Sequence, residues 1–552
     1  MKYEPRMATF FNQDTAARLE HGFQTKKSFS APDSESPRLW SATGLSHLMS
    51  SRLAGDQIIV VSNRQPFTHE FSGTNVKLVQ PASGLVTALE PVVRASGGTW
   101  IAHGSGACDR DFVDGSDRCP APAAAGAYTL RRLWLSEQEQ QGYCDGFANS
   151  GLWPLCHMVH VKPVFRDADW QHYCAVNARF AQAVVQEARG PNPVVLIQDY
   201  HLALVPQLLR AQLPGATIVS FWHIPWTHPE QMAVCPWLPA LLDGLLGSDI
   251  IGFQTPQHVR NFLELAETSG KKVHRTDSAV MGPLGRSTQV RDYPISIAWP
   301  AEPTAGLQST SSWRSQARAR WSLAPTGKLI VGVDRFDYTK GILERLQAFE
   351  ELLLTQPQWQ GLLRFVQIAA PTRIDIKEYS DYQKQVFDEV SRINNRFGAL
   401  ADVPIVLLNT QHDRAALDEL YRSADVCLVC SLHDGMNLVS KEFVAARHDE
   451  QGVLVLSQFA GAAHELGSAL IVNPYHTVQV AAALHQALTM PADEQARRMR
   501  ALRLKVRQAN VYRWAGNMLS DVCALRAPLY SVPARPALAT ANTPVQISMT
   551  GA

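Results

Sequence analysis

The feature that most limits the fold is a repeated alternation of short apolar runs with amphipathic stretches. Gln57–Ser62, Pro193–Gln198, Ala216–Trp222 and Asp249–Phe253 are rich in Val, Ile and Phe and end in polar loops. A second series comprises Lys328–Val333, Leu363–Ile368, Pro404–Leu408, Val426–Val429 and Val453–Ser457. Helical patterns such as Gly341–Leu354 and Arg414–Ser423 follow the runs. Buried strands alternating with helices predict parallel sheets covered on both faces. The chain has 552 residues, too many for one ordinary core, so two Rossmann-like α/β domains facing across a cleft are expected. Ile297-Ala-Trp-Pro-Ala-Glu-Pro303 breaks the periodicity with two prolines and reads as the link. The expected boundaries are a tail or loose arm over 1–55, a first domain over 56–298 and a second over 299–526. The last helix is free to cross back, and 527–552 reads as an Ala/Pro/Thr-rich disordered tail.

Composition removes several function classes. Lys and Arg total 51 against 50 Asp and Glu, which leaves no basic excess for a nucleic-acid surface. No apolar run approaches the ~20 residues of a spanning helix, and residues 1–50 lack a secretory signal pattern, so a cytoplasmic protein without a membrane partner is expected. Nine scattered cysteines fit a reducing compartment. Cys427 and Cys430 form a CxxC, but within a strand pattern that alternation splits between two faces. His201, His223 and His228 lie near Asp199 without metal-ligand spacing, and no metal is expected. Asp109-Arg-Asp111 matches a DxD by chance, since no strand precedes it.

In such sheets, ligands bind beyond the carboxyl ends of the strands. Those ends carry Ser62-Asn-Arg64, Asp199-Tyr-His201, His223-Ile-Pro225, Asp334-Arg-Phe-Asp-Tyr-Thr-Lys340, Pro371-Thr-Arg373 and Ser431 to Leu438. Loops are polar in any protein, but six such loops predict a polar cleft around an anionic ligand. Arg335 and Lys340 on one loop can neutralise a diphosphate leaving group. The Gly-containing turn at Asp434-Gly-Met-Asn-Leu438 opens a helix whose first amides suit a phosphate. Glu442, expected about two turns into that helix, suits the vicinal hydroxyls of a ribose.

Together these residues resemble the trehalose-6-phosphate synthases, retaining glycosyltransferases of family 20 with the two-domain GT-B fold. The resemblance runs from about Ile58 to Leu525. It is carried by Val61-Ser-Asn-Arg64, Asp199-Tyr-His-Leu202, His223-Ile-Pro225, Ile251-Gly-Phe-Gln-Thr255, Arg335-Phe-Asp-Tyr-Thr-Lys-Gly341, Asp434-Gly-Met-Asn-Leu-Val439 and Leu456-Ser-Gln-Phe-Ala-Gly-Ala462. It implies glucose transfer from a nucleoside-diphosphate glucose to glucose 6-phosphate, with no cofactor and no metal. Arg335 and Lys340 would hold the donor diphosphate, aided by the amides of Met436, Asn437 and Leu438. Asp434 and Gly435 would meet the donor glucose, Glu442 the ribose and Gly84 the phosphate end. His223 would bind the donor sugar near its 6-hydroxyl, and Asp199 would orient the acceptor. Arg64 and Arg373 would grip the acceptor phosphate, with Trp100 and Trp153 lining its pocket.

Four positions depart from the family pattern. Ser83 replaces the first Gly of a pair, Cys144 replaces a Tyr (with Tyr143 next to it), His103 a Trp and His433 an Arg. Most departures fall on the acceptor side. A sister transferase acting on glycerol 3-phosphate or a pseudo-sugar phosphate is therefore one alternative. A silent regulatory homologue is another, though retention of Arg335, Lys340, Asp434 and Glu442 argues against it. The sequence leaves homo-oligomerisation open.

Overall fold

The computed structural model describes residues 40–80, 84–122, 128–282, 285–300, 318–321, 323, 326–398 and 403–527. The expected tail over 527–552, most of the arm over 1–55, and Ala301–Pro303 of the link lie outside or almost outside these residues.

Two sheets carry the fold. The first has ten strands. Its order is Val273–His274, Ala279–Met281, Ser287–Asp292, Ile250–Phe253, Thr217–Phe221, Val194–Gln198, Ile58–Val61, Thr99–His103, Thr129–Leu133, Arg118–Pro120. Its centre is parallel; antiparallel pairs occur only toward the two edges. The second has six parallel strands in the order Ile405–Leu408, Leu363–Ala370, Lys328–Arg335, Val426–Val429, Val453–Ser457, Leu470–Val472. Central strands such as Ile58–Val61 and Val194–Gln198 are buried throughout, as the unbroken apolar runs require.

Strand order fixes where a ligand can sit. Ile58–Val61 has its next-in-line strand on one side and Val194–Gln198 on the other, so the winding reverses there. Lys328–Arg335 lies likewise between Leu363–Ala370 and Val426–Val429. A crevice opens at each reversal, at the carboxyl ends of the strands. The loops at these crevices carry Arg64 and Asp199 in one half, and Arg335–Lys340 and Ser431–Leu438 in the other.

The loose arm needs correction. Ala42–Arg52 is a helix capped by Ser41, and it buries Leu45 and Met49, with Leu53 just beyond. Each buried side chain of this size contributes roughly 1.5–3 kcal/mol, enough to fix a short helix. Its neighbour is the final helix, Val511–Arg526. That helix leaves the six-stranded half and packs on the ten-stranded one. Trp514 meets Phe221 edge-on at 5.3 Å, and Arg526 donates to the Asn192 carbonyl (3.1 Å) and pairs with Asp56 (2.6 Å). The link is also more ordered than its prolines suggest: Val511 N–H donates to the Ile297 carbonyl at 2.9 Å, joining the two crossing segments.

Asp109 has a structural use. It is fully buried and accepts from Gln65 Nε2 (2.6 Å), His69 N–H (2.8 Å) and Arg132 (2.9 Å). Cys427 and Cys430 belong to different apolar clusters, so the CxxC forms no pair. Among the described residues, no helix is long and apolar enough to cross a membrane.

Candidate active site

The loop after Lys328–Arg335 is built to hold its cations. Asp337 accepts from the Thr339 amide (3.0 Å) and hydroxyl (2.9 Å), shaping a single 3-10 turn, Tyr338–Lys340. Buried Arg345 pairs with Asp334 at 2.5 Å and donates to the Lys340 carbonyl at 2.8 Å. Gly341 then takes φ +64°, and a Cβ there would lie 2.1 Å from the Cys430 carbonyl. Only glycine satisfies both the angle and the approach.

Lys340 reaches across to the neighbouring loop, where its ammonium lies 2.6 Å from Asp434 Oδ2. Burial works against the Asp434 carboxylate, but Lys340 outweighs it and holds the pKa below its usual value. Ser431 donates to the same oxygen at 3.2 Å. The helix begins at Leu438, capped by Asn437, which accepts from Ser440 N–H at 2.9 Å. Glu442 therefore stands one turn into the helix, not two. It accepts from Tyr421 at 3.2 Å, and burial raises its pKa. Among the described residues, the amides of Met436, Asn437 and Leu438 have no acceptor in the protein. Unpaired amides at a helix start are suited to an anion, and Lys340 bonds Asp434 on the same turn.

On the opposite wall, Asp199 ends its strand at φ +74° and accepts from the amides of Tyr200 (2.9 Å) and His223 (3.2 Å). Burial outweighs these bonds and the nearby Arg64 and Arg373, pushing its pKa up to about 6. Arg373 (φ +50°) and Asn437 (φ +120°) are likewise outside the regions ordinary side chains favour. Three such residues in one cleft mark a geometry that the surrounding packing enforces.

Arg373 joins the two halves. Its guanidinium lies 4.1 Å above the Trp153 ring and donates to Tyr200 Oη at 3.1 Å and to Tyr379 Oη. Arg64 is open to the cleft, yet loss of hydration, with Arg335 and Arg373 close by, lowers its pKa to about 10. It stays charged at neutral pH. Asp337 is also fully buried, but Arg373, Lys340 and Arg335 overcome that penalty and keep it ionised. Four cations from two loops and the Ile58–Val61 strand end therefore converge on one cleft.

Trp153 belongs to this wall, with its indole N–H buried and unpaired. Trp100 does not. It is wholly buried and donates to Ser62 Oγ at 2.8 Å, while Ser62 donates to the Arg64 carbonyl at 2.6 Å. Trp100 thus supports the Arg64 loop from behind. His103 ends the same strand, where its amide donates to the Asn63 carbonyl at 3.3 Å and its ring Nδ1–H to the Leu133 carbonyl at 3.1 Å. Gly84 opens the helix Gly84–Ser96, and Ser83 lies outside the described residues. Cys144 sits in a π-helix, Gln141–Leu152, and accepts weakly from Asn149 (3.4 Å) and Asn63 (3.7 Å). Tyr143 cannot take over a phosphate contact from next door, because it is fully buried against Tyr173 and His201. His201 is part of that core, and among the described residues no three His, Cys, Asp or Glu are grouped to hold a metal. His433 Nδ1–H donates to the His157 carbonyl at 2.8 Å and fastens one half to the other.

Residues without charge escaped the sequence reading: Tyr200, Tyr379 and Asn149 (which accepts from Tyr200 Oη at 2.9 Å), together with Gln198. Asp337 stood inside a quoted motif, and its place between Arg335 and Lys340 was the available signal.

Two largely parallel sheets bring cation-lined loops together at their switch points, in a cleft suited to a phosphorylated ligand. The sequence model of glycosyltransferase family 20 matches residues 56–524, and the chain belongs to that family. It is a glycosyltransferase of the GT-B fold. A trehalose-6-phosphate synthase of Mycolicibacterium vanbaalenii is 38% identical over 491 residues, covering 87% of this chain and 98% of that protein. Among solved structures, the E. coli protein bound with UDP-2-fluoro glucose has a TM-score of 0.73 at 34% identity, covering 85% of this chain and 99% of that one. A UDP-forming α,α-trehalose-phosphate synthase of Burkholderia xenovorans in complex with glucose-6-phosphate has a TM-score of 0.73 at 33% identity, covering 84% and 99%.

If Asp199 acts as a carboxylate, kcat/KM rises with pH through about 6, the group's pKa in the free protein. Asp199→Asn removes that acid limb along with most activity. The sign for stability is opposite. A carboxylate pKa raised from 3.8 means that stability from this group is present below about pH 4 and lost as pH rises through about 6. Paired pH–rate and pH–melting profiles of the two proteins check both.

Proposed function

We infer that the chain is a trehalose-6-phosphate synthase, moving glucose from a nucleoside-diphosphate glucose to glucose 6-phosphate with retention. The observation that carries this is the convergence of Arg64, Arg373, Arg335 and Lys340 on one cleft, enough charge for a diphosphate and a second phosphate. UDP-glucose is the donor we put first, since the E. coli relative was solved with a fluorinated analogue of it.

In this reading, the donor half runs over 299–526 and the acceptor half over 56–298. Arg335, Lys340 and the amides of Met436, Asn437 and Leu438 hold the diphosphate, with Gly84 at its phosphate end. Asp434, Gly435 and His223 contact the glucose, and Glu442 the ribose. Arg64 and Arg373 grip the acceptor phosphate beside Trp153, and Asp199 orients the attacking hydroxyl. Lys340 exchanges Asp434 for the diphosphate as the donor enters. Attack comes from the face the nucleotide leaves. The departing β-phosphate oxygen takes the hydroxyl proton, and Arg335 and Lys340 stabilise its growing charge. No enzyme nucleophile is required; fixed charge and positioning carry the rate. A cytoplasmic location, supported by nine unpaired thiols, completes the proposal.

Glucose 6-phosphate, glycerol 3-phosphate and glucose, each offered with UDP-, GDP- and ADP-glucose and read by product mass, test it. A phosphorylated disaccharide from glucose 6-phosphate is expected. A product only from glycerol 3-phosphate would make the chain a sister transferase. Donor binding without any product would make it a silent homologue. Cys144 favours close attention to the acceptor, since it lies within reach of the Arg64 and Arg373 charges. Cys144→Tyr is expected to change the acceptor KM by roughly tenfold and the donor KM much less. An unchanged acceptor KM would remove Cys144 from the pocket.

A further inference from the structure

Gln198 and His223 stand at the carboxyl ends of neighbouring parallel strands. Gln198 is 1% exposed. Its Oε1 lies 2.9 Å from His223 Nε2. A carboxamide oxygen only accepts, so Nε2 carries the ring proton. His223 Nδ1 then keeps its lone pair. That atom has no partner among the described residues, yet it is not one of the buried, unpaired side-chain atoms. It therefore remains reachable from the cleft.

The rest of the residue is held as firmly. The His223 amide donates to Asp199 at 3.2 Å, and its carbonyl accepts from Gln254 Nε2 at 3.4 Å. The ring lies edge-on to Phe221 at 4.5 Å, with Trp514 at 6.4 Å on the last helix. Burial drives its pKa down to about 3, so the imidazole is neutral across the working range. A neutral imidazole without a fixed partner exchanges between two tautomers of nearly equal energy, one of them presenting the wrong polarity.

We propose that Gln198 is a positioning residue that locks His223 in the Nε2–H tautomer, so that Nδ1 accepts a hydrogen bond from a hydroxyl of the donor sugar. The proposal rests on the reading of this cleft as a nucleotide-sugar site. It makes His223 selective for a ligand O–H at that point and unable to serve as a proton donor there. The device costs the fold little, because a buried carboxamide and a buried imidazole satisfy each other.

Solid-state 15N spectra of the whole enzyme labelled at histidine test it directly, with the His223 signals assigned by their loss in His223→Asn. Wild type is expected to show Nε2 protonated and Nδ1 bare without ligand. Gln198→Leu should give a tautomer mixture. It should also cut kcat/KM for the donor by roughly tenfold to a hundredfold with the acceptor KM unchanged. Gln198→Glu keeps the shape but favours the imidazolium, which turns Nδ1 into a donor. Its activity should therefore climb between about pH 7 and 9, where wild type is flat. Nδ1–H in the wild type, or unchanged tautomer and donor kinetics in Gln198→Leu, would overturn the proposal. If Gln198→Leu fails to fold, a flat pH profile in Gln198→Glu does so instead. Wild type that turns over no nucleotide-glucose would sink the reading of the cleft, while the spectra would still decide the tautomer.

Discussion

Arg335→Ala is expected to lower transfer on the order of a thousandfold while leaving the melting temperature within about 2 °C of wild type. The asymmetry follows from where Arg335 stands. It ends the strand Lys328–Arg335 with its charge close to Arg64 and Asp337, and among the described residues it carries no ion pair within 4 Å. The neighbouring loop is held without it, through Asp337–Thr339 and Arg345–Lys340. Removing Arg335 relieves the repulsion on Arg64, which offsets its lost support of buried Asp337, and Arg373 and Lys340 still keep that carboxylate ionised. In the proposed role, by contrast, the leaving diphosphate would lose a fixed, preorganised charge that water replaces poorly. Activity within tenfold of wild type would sink the diphosphate role. A large drop in melting temperature would show that the residue is structural.

Gly435→Ala should cost about a hundredfold in kcat/KM, for a different reason. A Cβ at Gly435 would lie 2.2 Å from the His223 carbonyl oxygen and 3.2 Å from the carbonyl carbons of His223 and Ile224. These are backbone atoms of the opposite half, already tied down by Gln254 and the strand behind them, so they cannot step aside. Gly461 crowds the other side, where its own Cβ would meet the Gly435 carbonyl at 2.0 Å. The methyl group must then push the two halves apart. That separates Arg335 and Lys340 from Arg64 and Asp199, whose joint placement the chemistry needs. Small-angle scattering should show a larger radius of gyration, and unchanged activity with unchanged scattering would refute the account.

The sheets were legible because their central strands are buried on both faces and read as unbroken apolar runs. The outer strands were not. Thr129-Leu-Arg-Arg-Leu133 carries two arginines, one buried against Asp109 and one paired with Glu187. Charges compensated by distant residues look, in sequence, like loop. The π-helix Gln141–Leu152 has no periodic signature of its own, so the exact facing of Cys144 and Tyr143 could only come from coordinates. Ionic members of the site announced themselves by charge at strand ends. Trp100 was misplaced because resemblance supplied a residue type without saying which way its strand pleats. The arm at 42–53 was missed because its partner, the final helix, lies some 460 residues later.

The final helix has one more consequence. Because Val511–Arg526 returns to the ten-stranded half, the six-stranded half is not a terminal domain but an insertion, joined at both its ends. During synthesis, the first half therefore emerges with the surface around Phe221 and Leu45 still bare. It can be covered only after the whole second half has been made, so the portion translated first is the portion finished last.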